Sequence, residues 1–330
     1  MNIQVTLIGF IIAVSWALAL SLDSLFSICI AALVLFSQSV PVCLLLLLSI
    51  NLIAFIQASL GGKKTGTGHA QRRFGVVFFG VFCGLTGSAL PHQSWSYALV
   101  FFGLLLTVSN SLSSFFFYSH FESLSLKASL QSVVIPSFVA MDILLKVRTE
   151  IKADNTQLWD IPLLLLGLST FLIASVLALS KKRIRVMLLY LALSWIGALL
   201  FLLVIDAGPL SDLAYASCAL MSVTTVVLLD LASRLGDRHF AFAKIISLGL
   251  PGGVGFAAIY FALKIAIGLN VVWLVVLGIG FAIQSITLLS AKALPAEASR
   301  NTRFRFWLLV LVQFCAGFTL FWMDNKGGFR

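Results

Sequence analysis

Apolar residues come in long unbroken runs, and the polar residues collect between the runs instead of alternating with them. The clearest runs are Ile3 to Leu20, Val40 to Ser59, Phe74 to Leu90, Trp95 to Phe117, Ile161 to Ser180, Val186 to Ile205, Asp212 to Leu231, Ala241 to Ile267, Val271 to Ala291 and Phe304 to Met323. A helix needs about 20 apolar residues to cross a hydrocarbon layer of about 30 Å, and most of these runs have that length. Two weaker runs, Leu22 to Phe36 and Ala128 to Leu145, are short or interrupted by Pro136 and Asp142. Lipid offers the backbone no hydrogen-bond partner, so the predicted class is all-α, a polytopic bundle of about twelve transmembrane helices.

The polar stretches Gly61 to Arg73, Lys146 to Asp160 and Lys292 to Arg303 are expected to be loops. None is long enough for a soluble module, so residues 1–330 read as a single integral membrane domain. The stretch Met1 to Ala19 has no basic n-region and is long enough to span, which argues against a cleaved signal.

Composition agrees: 60% of the 330 residues are hydrophobic, 10% are charged, and the mean hydropathy is +1.07. The net charge of +10 does not point to nucleic acid, because the basic residues lie in the segments between apolar runs. If all twelve runs cross, one side receives Lys63, Lys64, Arg72, Arg73, Lys127, Lys181, Lys182, Arg183, Arg185, Arg234, Arg238, Lys244, Lys292, Arg300, Arg303 and Arg305. The other receives Lys146, Arg148, Lys152, Lys264, Lys326 and Arg330. Sixteen of the 22 Lys and Arg thus share a side, which predicts a multi-pass protein of the cytoplasmic (inner) membrane with both termini non-cytoplasmic.

Cys29, Cys43, Cys83, Cys218 and Cys315 fall inside apolar runs without CxxC spacing and read as small buried groups. His69, His92, His120 and His239 lie in or beside expected loops on different segments, so no metal site and no cofactor is expected. The segment from Gly61 to Gly68 lacks the spacing of a phosphate loop and reads as a flexible cationic loop. Without a nucleophile elbow, a zinc-binding His pair or paired carboxylates, the chain is not expected to be an enzyme on its own.

From Arg183 the sequence runs R-I-R-V-M-L-L-Y-L-A-L-S-W-I-G to Gly197. It resembles the D-L-K-R-L-L-A-Y-S-S-I-S-H-I-G segment of the antiporter-like membrane subunits found in complex I, membrane-bound hydrogenases, Mrp antiporters and inorganic-carbon uptake complexes. Tyr190, Ser194, Ile196 and Gly197 keep the pattern, and Trp195 stands where His or Gln is usual. The run Gly249-Leu250-Pro251-Gly252-Gly253-Val254-Gly255-Phe256 is similar to that family's G-L-P-P-L-S-G-F, where an unwound turn breaks a transmembrane helix. Leu85-Thr86-Gly87-Ser88 and Leu22-Asp23-Ser24-Leu25 resemble a helix-closing T-G-S and an L-D-G-L-S opening. These echoes follow family order over most of the chain. The chain is shorter than the usual fourteen-helix subunit; a lost first helix and a trimmed segment around Ala58 to Gln71 would account for the difference.

The resemblance implies a proton path through buried Lys, Glu and His, since only a group that gains and loses charge in a low-dielectric site can relay a proton. The positions where such groups are expected hold other residues. Gln57 and Ala58 follow the N-L-I-A-F-I run, and Thr107, Val108 or Ser109 stands for one Lys and Ala140 for another. Phe115 to His120 replaces the P-F-H-x-W-L-P-D-A signature, Ala219 to Leu229 has no Lys or His, and Ile259 stands where Lys is common.

The remaining ion-path candidates are Asp142, Lys146, Lys264 and Asp230. Each has a plainer reading: Asp142 with Lys146 and Asp230 with Arg234 are spaced as local helix pairs, and Lys264 can snorkel to the interface. Asp206 and Asp212 flank the Gly208-Pro209 turn and read as caps, as does Asp23. Gly249, Pro251, Gly252, Gly253 and Gly255 are the expected structural break.

The first expectation is therefore an accessory or scaffolding subunit of a multi-subunit proton- or sodium-translocating complex, with other membrane subunits and the lipid bilayer as partners and no nucleic acid. Phe-rich stretches such as Phe101-Phe102 and Phe115-Phe116-Phe117 suit packing against such partners, or within the bundle itself. Two alternatives stand beside it: an active conducting subunit with a reduced relay of Asp142, Lys146 and Lys264, and a free-standing small-molecule or lipid carrier.

Overall fold

The computed structural model describes residues 29–31, 33–34, 37, 39–61, 64–90, 94–113, 134–150, 157–205, 209–269, 271–293 and 300–325. Among these residues the regular structure is entirely helical. The elements are α1 (Val40–Gly61), α2 (Lys64–Ala89), α3 (Ser94–Ser113), α4 (Ile135–Glu150), α5 (Gln157–Ser180), α6 (Ile184–Val204), α7 (Pro209–Leu220), a π turn (Met221–Thr225), α8 (Val226–Leu235), α9 (Asp237–Ser247), α10 (Val254–Leu269), α11 (Val271–Ser290) and α12 (Arg300–Asn325).

Six stretches are long and apolar enough to cross a membrane: Val40–Gln57, Asp160–Ser180, Ile184–Val204, Leu210–Leu235, Val271–Ser290 and Asn301–Asp324. Ser96–Thr107 and Val254–Leu269 are shorter apolar helices. The other expected crossings among described residues are diluted by charge, Arg72 and Arg73 beside the apolar part of α2, and Asp142 and Lys146 within α4. The run Ile3 to Leu20 and most of Leu22 to Phe36 lie outside the described residues, as do Asp23, Asp206, His92 and His120.

Two expectations are corrected. Of the five cysteines only Cys43 and Cys218 are buried, while Cys83 is half-buried and Cys29 and Cys315 are exposed, since an apolar run has an outward face as well as an inward one. The stretch Gly61 to Arg73 is not a loop, because α2 begins at Lys64 and places His69 well inside a helix. Apolarity marks where a helix enters lipid. The backbone ladder continues past that boundary, since it satisfies the peptide groups whatever the side chains are.

The chain divides into two compact units, and the division falls within α5. In the first, within Leu20–Leu166, α1 packs on α2, α2 on α3, and both α1 and α3 on α4. Cys43, Leu44, Leu47, Ile50, Leu104, Ala140 and Met141 form its interior, while Val42, Leu45, Phe78, Phe82 and Phe102 face outward.

In the second unit, Gly167–Arg330, every residue of α6 except Arg185 is buried, so α6 is apolar all round because it is surrounded. The continuous rod of α7, π turn and α8 is nearly as enclosed, whereas α11 and α12 turn Val272, Ile286, Leu311 and Phe318 outward. The segment of α5 from Gly167 crosses α6 at backbone contact: a Cβ on Gly167 would come within 2.6 Å of the Phe201 nitrogen and 2.9 Å of the Gly197 oxygen. Small residues at such a crossing let two helices approach closely, and any larger side chain would part them.

Candidate functional site

The broken helix is built by glycine and proline at defined places. Helix α9 ends with the Gly249 amide donating to the Ile246 oxygen and the Leu250 amide to the Ile245 oxygen, the paired closing bonds of a Schellman motif. Gly249 has φ 112°, as that motif requires. The chain then turns again with Pro251 second, Gly252 third at φ 89°, and the Gly253 amide donating to the Leu250 oxygen at 3.0 Å, the features of a type II turn. Helix α10 starts immediately after, at Val254. The break lies against α12, where a Cβ on Gly252 would meet the Phe318 ring at 2.9 Å and one on Gly317 would strike the Gly252 carbonyl.

The ionisable candidates fall into separate pairs. In the first unit the Lys146 ammonium lies 2.8 Å from Asp142 Oδ2 and donates to the Val34 carbonyl and, at 3.0 Å, to the Ser37 carbonyl. Cys43 Sγ is 4.0 Å away. Lys146 therefore ties α4 to the end of the helical residues before α1, with carbonyl oxygens and a carboxylate around its positive charge.

In the second unit Arg234 donates to Asp230 Oδ2 at 2.6 Å, one turn along the same helix. Asp230 Oδ1 and Arg234 Nε are buried without partners among the described residues. Lys264 reaches across from α10 to both carboxylate oxygens of Asp324 on α12, each at 3.1 Å, with its Nζ 5.5 Å from the Tyr260 ring centroid. Its side chain stays 41% exposed. A partner sixty positions away leaves no local spacing to read, so the sequence reading missed Asp324.

The other singled-out residues are placed as follows. His239 packs edge-on against both Phe306 and Trp307. Tyr190 and Trp195 are buried in α6, and the Trp195 ring lies 5.4 Å from Phe281. Asp212 sits in the first turn of α7, where a carboxylate suits the helix dipole.

A group of neutral polar residues gave no sequence signal. Gln284 on α11 donates to Ser194 Oγ on α6 at 2.8 Å and lies 3.4 Å from Ser175 Oγ on α5. Gln313 on α12 donates to Thr224 Oγ1 at 2.8 Å and lies 3.4 Å from Thr225 Oγ1, both in the π turn. A lone Gln in an apolar run looks like a lipid-boundary residue until its partners are known.

No family model matches the chain. NADH-quinone oxidoreductase subunit N of Alkalilimnicola ehrlichii is 26% identical over 170 residues, covering 45% of this chain and 35% of that protein, so the match spans about a third of the relative's length. Among solved structures, a chain of the membrane-bound sulfane sulfur reductase, an archaeal respiratory membrane complex, superposes with a TM-score of 0.76 at 15% identity, over 95% of this chain and 64% of that one. Chains of respiratory complex I from Thermus thermophilus match with TM-scores of 0.69 at 13% identity and 0.64 at 16%. They cover 95% and 94% of this chain, and 78% and 83% of theirs. With its several apolar helices and broken helix, this multi-pass membrane chain matches the antiporter-like family of membrane subunits in fold, and one member in part of its sequence.

Proposed function

We propose that the chain is an accessory or scaffolding subunit of a multi-subunit complex that translocates protons or sodium ions, and that it catalyses no reaction itself. It lies in the cytoplasmic membrane with both termini on the non-cytoplasmic side, and its partners are other membrane subunits.

The observation that carries this reading is the Lys146 cluster. Lys146 on α4 donates to the Val34 and Ser37 carbonyls, which precede α1, and lies 2.8 Å from the Asp142 carboxylate, so its ammonium is engaged by three groups at once. That arrangement suits a cross-link between helices. Near the positions where the resemblance leads one to expect relay lysines in this unit stand Thr107, Val108 and Ser109 in one helix and Ala140 in another, and of these Thr107 and Ala140 are buried. In the second unit, Ile259 occupies a further such position.

The reading is tested by purifying the chain from its native membrane in mild detergent and identifying associated chains by mass spectrometry. Stoichiometric co-purification of membrane subunits of one complex is expected, unchanged in Asp142→Asn. A chain that purifies alone and transports a solute in liposomes would contradict it.

A further inference from the structure

Two glutamines in the second unit are oriented by the protons of the hydroxyls they touch. Ser175 Oγ donates its one proton to the Phe171 carbonyl and Ser194 Oγ donates its own to the Leu191 carbonyl, both at 2.7 Å. Each hydroxyl therefore presents only lone pairs to Gln284, and the amide must turn its NH2 end toward them. Gln284 Oε1 is left pointing away from both serines as an acceptor. The same logic holds for Gln313. Thr224 Oγ1 donates to the Leu220 carbonyl at 2.6 Å and Thr225 Oγ1 to Met221 Sδ at 2.7 Å, so Gln313 too presents its nitrogen. Gln313 Oε1 is then buried with no donor among the described residues.

Between the two groups lies a cavity of about 10 Å³, lined by the polar residues Thr225, Ser247, Gln284 and Ser285 and by Trp195 and Met221. That space suits about one water, and a buried water is held when it finds roughly 2 to 4 polar partners. The π turn that supplies Met221 and Thr225 to this lining interrupts the α-helical ladder, and such single-turn bulges are frequent at functional sites.

We infer that this cavity is a binding site for a single ordered water. The water donates to Gln284 Oε1 and to the lone pairs of Thr225 Oγ1, and accepts from the Ser285 hydroxyl. It joins the Ser175–Gln284–Ser194 group to the Thr224–Thr225–Gln313 group. The product is one uncharged network linking α5, α6, the π turn, α11 and α12 within the second unit. Ile259, which also lines the cavity, stands where the resemblance leads one to expect Lys, and Trp195 stands where His or Gln is usual. Neutral polar side chains and water thus hold together a region where the resemblance leads one to expect a lysine. This inference does not depend on the accessory role, since a conducting subunit could hold the same water.

X-ray hydroxyl-radical footprinting of the full chain in lipid nanodiscs tests it, because radicals form from bound water and mark the side chains beside it. Met221 and Met141 are equally inaccessible, at 1% and 0% exposure. Met221 is expected to oxidise several-fold faster than Met141, with Trp195 also marked. Gln284→Leu should bring Met221 down to the rate of Met141, and Thr225→Val, which keeps the side-chain shape, should do the same if Gln284→Leu fails to fold. A wild-type Met221 as slow as Met141 would overturn the site, and so would fast labelling that persists in both folded variants.

Discussion

Lys264 and Asp324, sixty residues apart in the chain, meet as an ion pair at 3.1 Å that bridges α10 and α12 beyond the helix break. The lysine side chain is 41% exposed, so water and salt compete with the carboxylate. Asp324→Asn is therefore expected to cost less than about 1 kcal/mol, an effect that shrinks as ionic strength rises. Thermal unfolding in detergent at low and high salt measures it. A large loss that salt does not touch would mean the pair is enclosed.

The Asp142–Lys146 pair should behave differently, because both groups are shielded. Lys146→Met leaves the Asp142 carboxylate buried without a counter-charge and is expected to destabilise by about 3–5 kcal/mol. Neutralising the acid as well, in Asp142→Asn with Lys146→Met, should recover most of that loss. Denaturant titration of the two single variants and the double variant decides; simple additivity would mean that the two side chains do not interact.

At the break, Gly252→Ala is expected to cost roughly 1–2 kcal/mol from its left-handed backbone alone, and more if the Phe318 ring cannot move aside. Among the described residues no atom would lie within 4 Å of a Cβ on Gly268, near the end of α10. Gly268→Ala should stabilise slightly, by up to about 1 kcal/mol, through helix propensity. Opposite shifts in melting temperature for the two substitutions are the predicted result, and equal shifts would argue against a positive-φ requirement at Gly252.

Gln313→Leu should be nearly neutral, within about 1 kcal/mol. The hydroxyl protons of Thr224 and Thr225 already have acceptors, so removing the amide strands no donor, and it also removes a buried oxygen that lacks one. A loss of several kcal/mol in the same unfolding assay would show that Gln313 Oε1 has a partner after all.

What could be read in advance follows the range of the interactions. Gly249, Pro251 and Gly252 announce the break because their backbone limits are local, and Asp230 with Arg234 is visible as a four-residue spacing on one helix. Asp324, Gln284 and Gln313 act across helices, through contacts that no periodicity encodes. The start of α2 at Lys64 was misread because the end of an apolar run marks the edge of lipid, not the end of a helix. The carbonyls that receive Lys146 were invisible for a related reason: any residue can supply a carbonyl, so sequence does not mark it.

The proposed function holds that the charged groups inside this protein are structural pairs, Lys146 and Lys264 between helices and Asp230 with Arg234 along one, and do not pass protons. The most direct measurement is the decay of an imposed pH gradient across liposomes containing only the purified chain. Decay no faster than in empty liposomes is predicted, unchanged by Asp142→Asn, Asp230→Asn or Lys264→Met. A rapid decay abolished by Asp142→Asn, with helical content intact, would contradict the account.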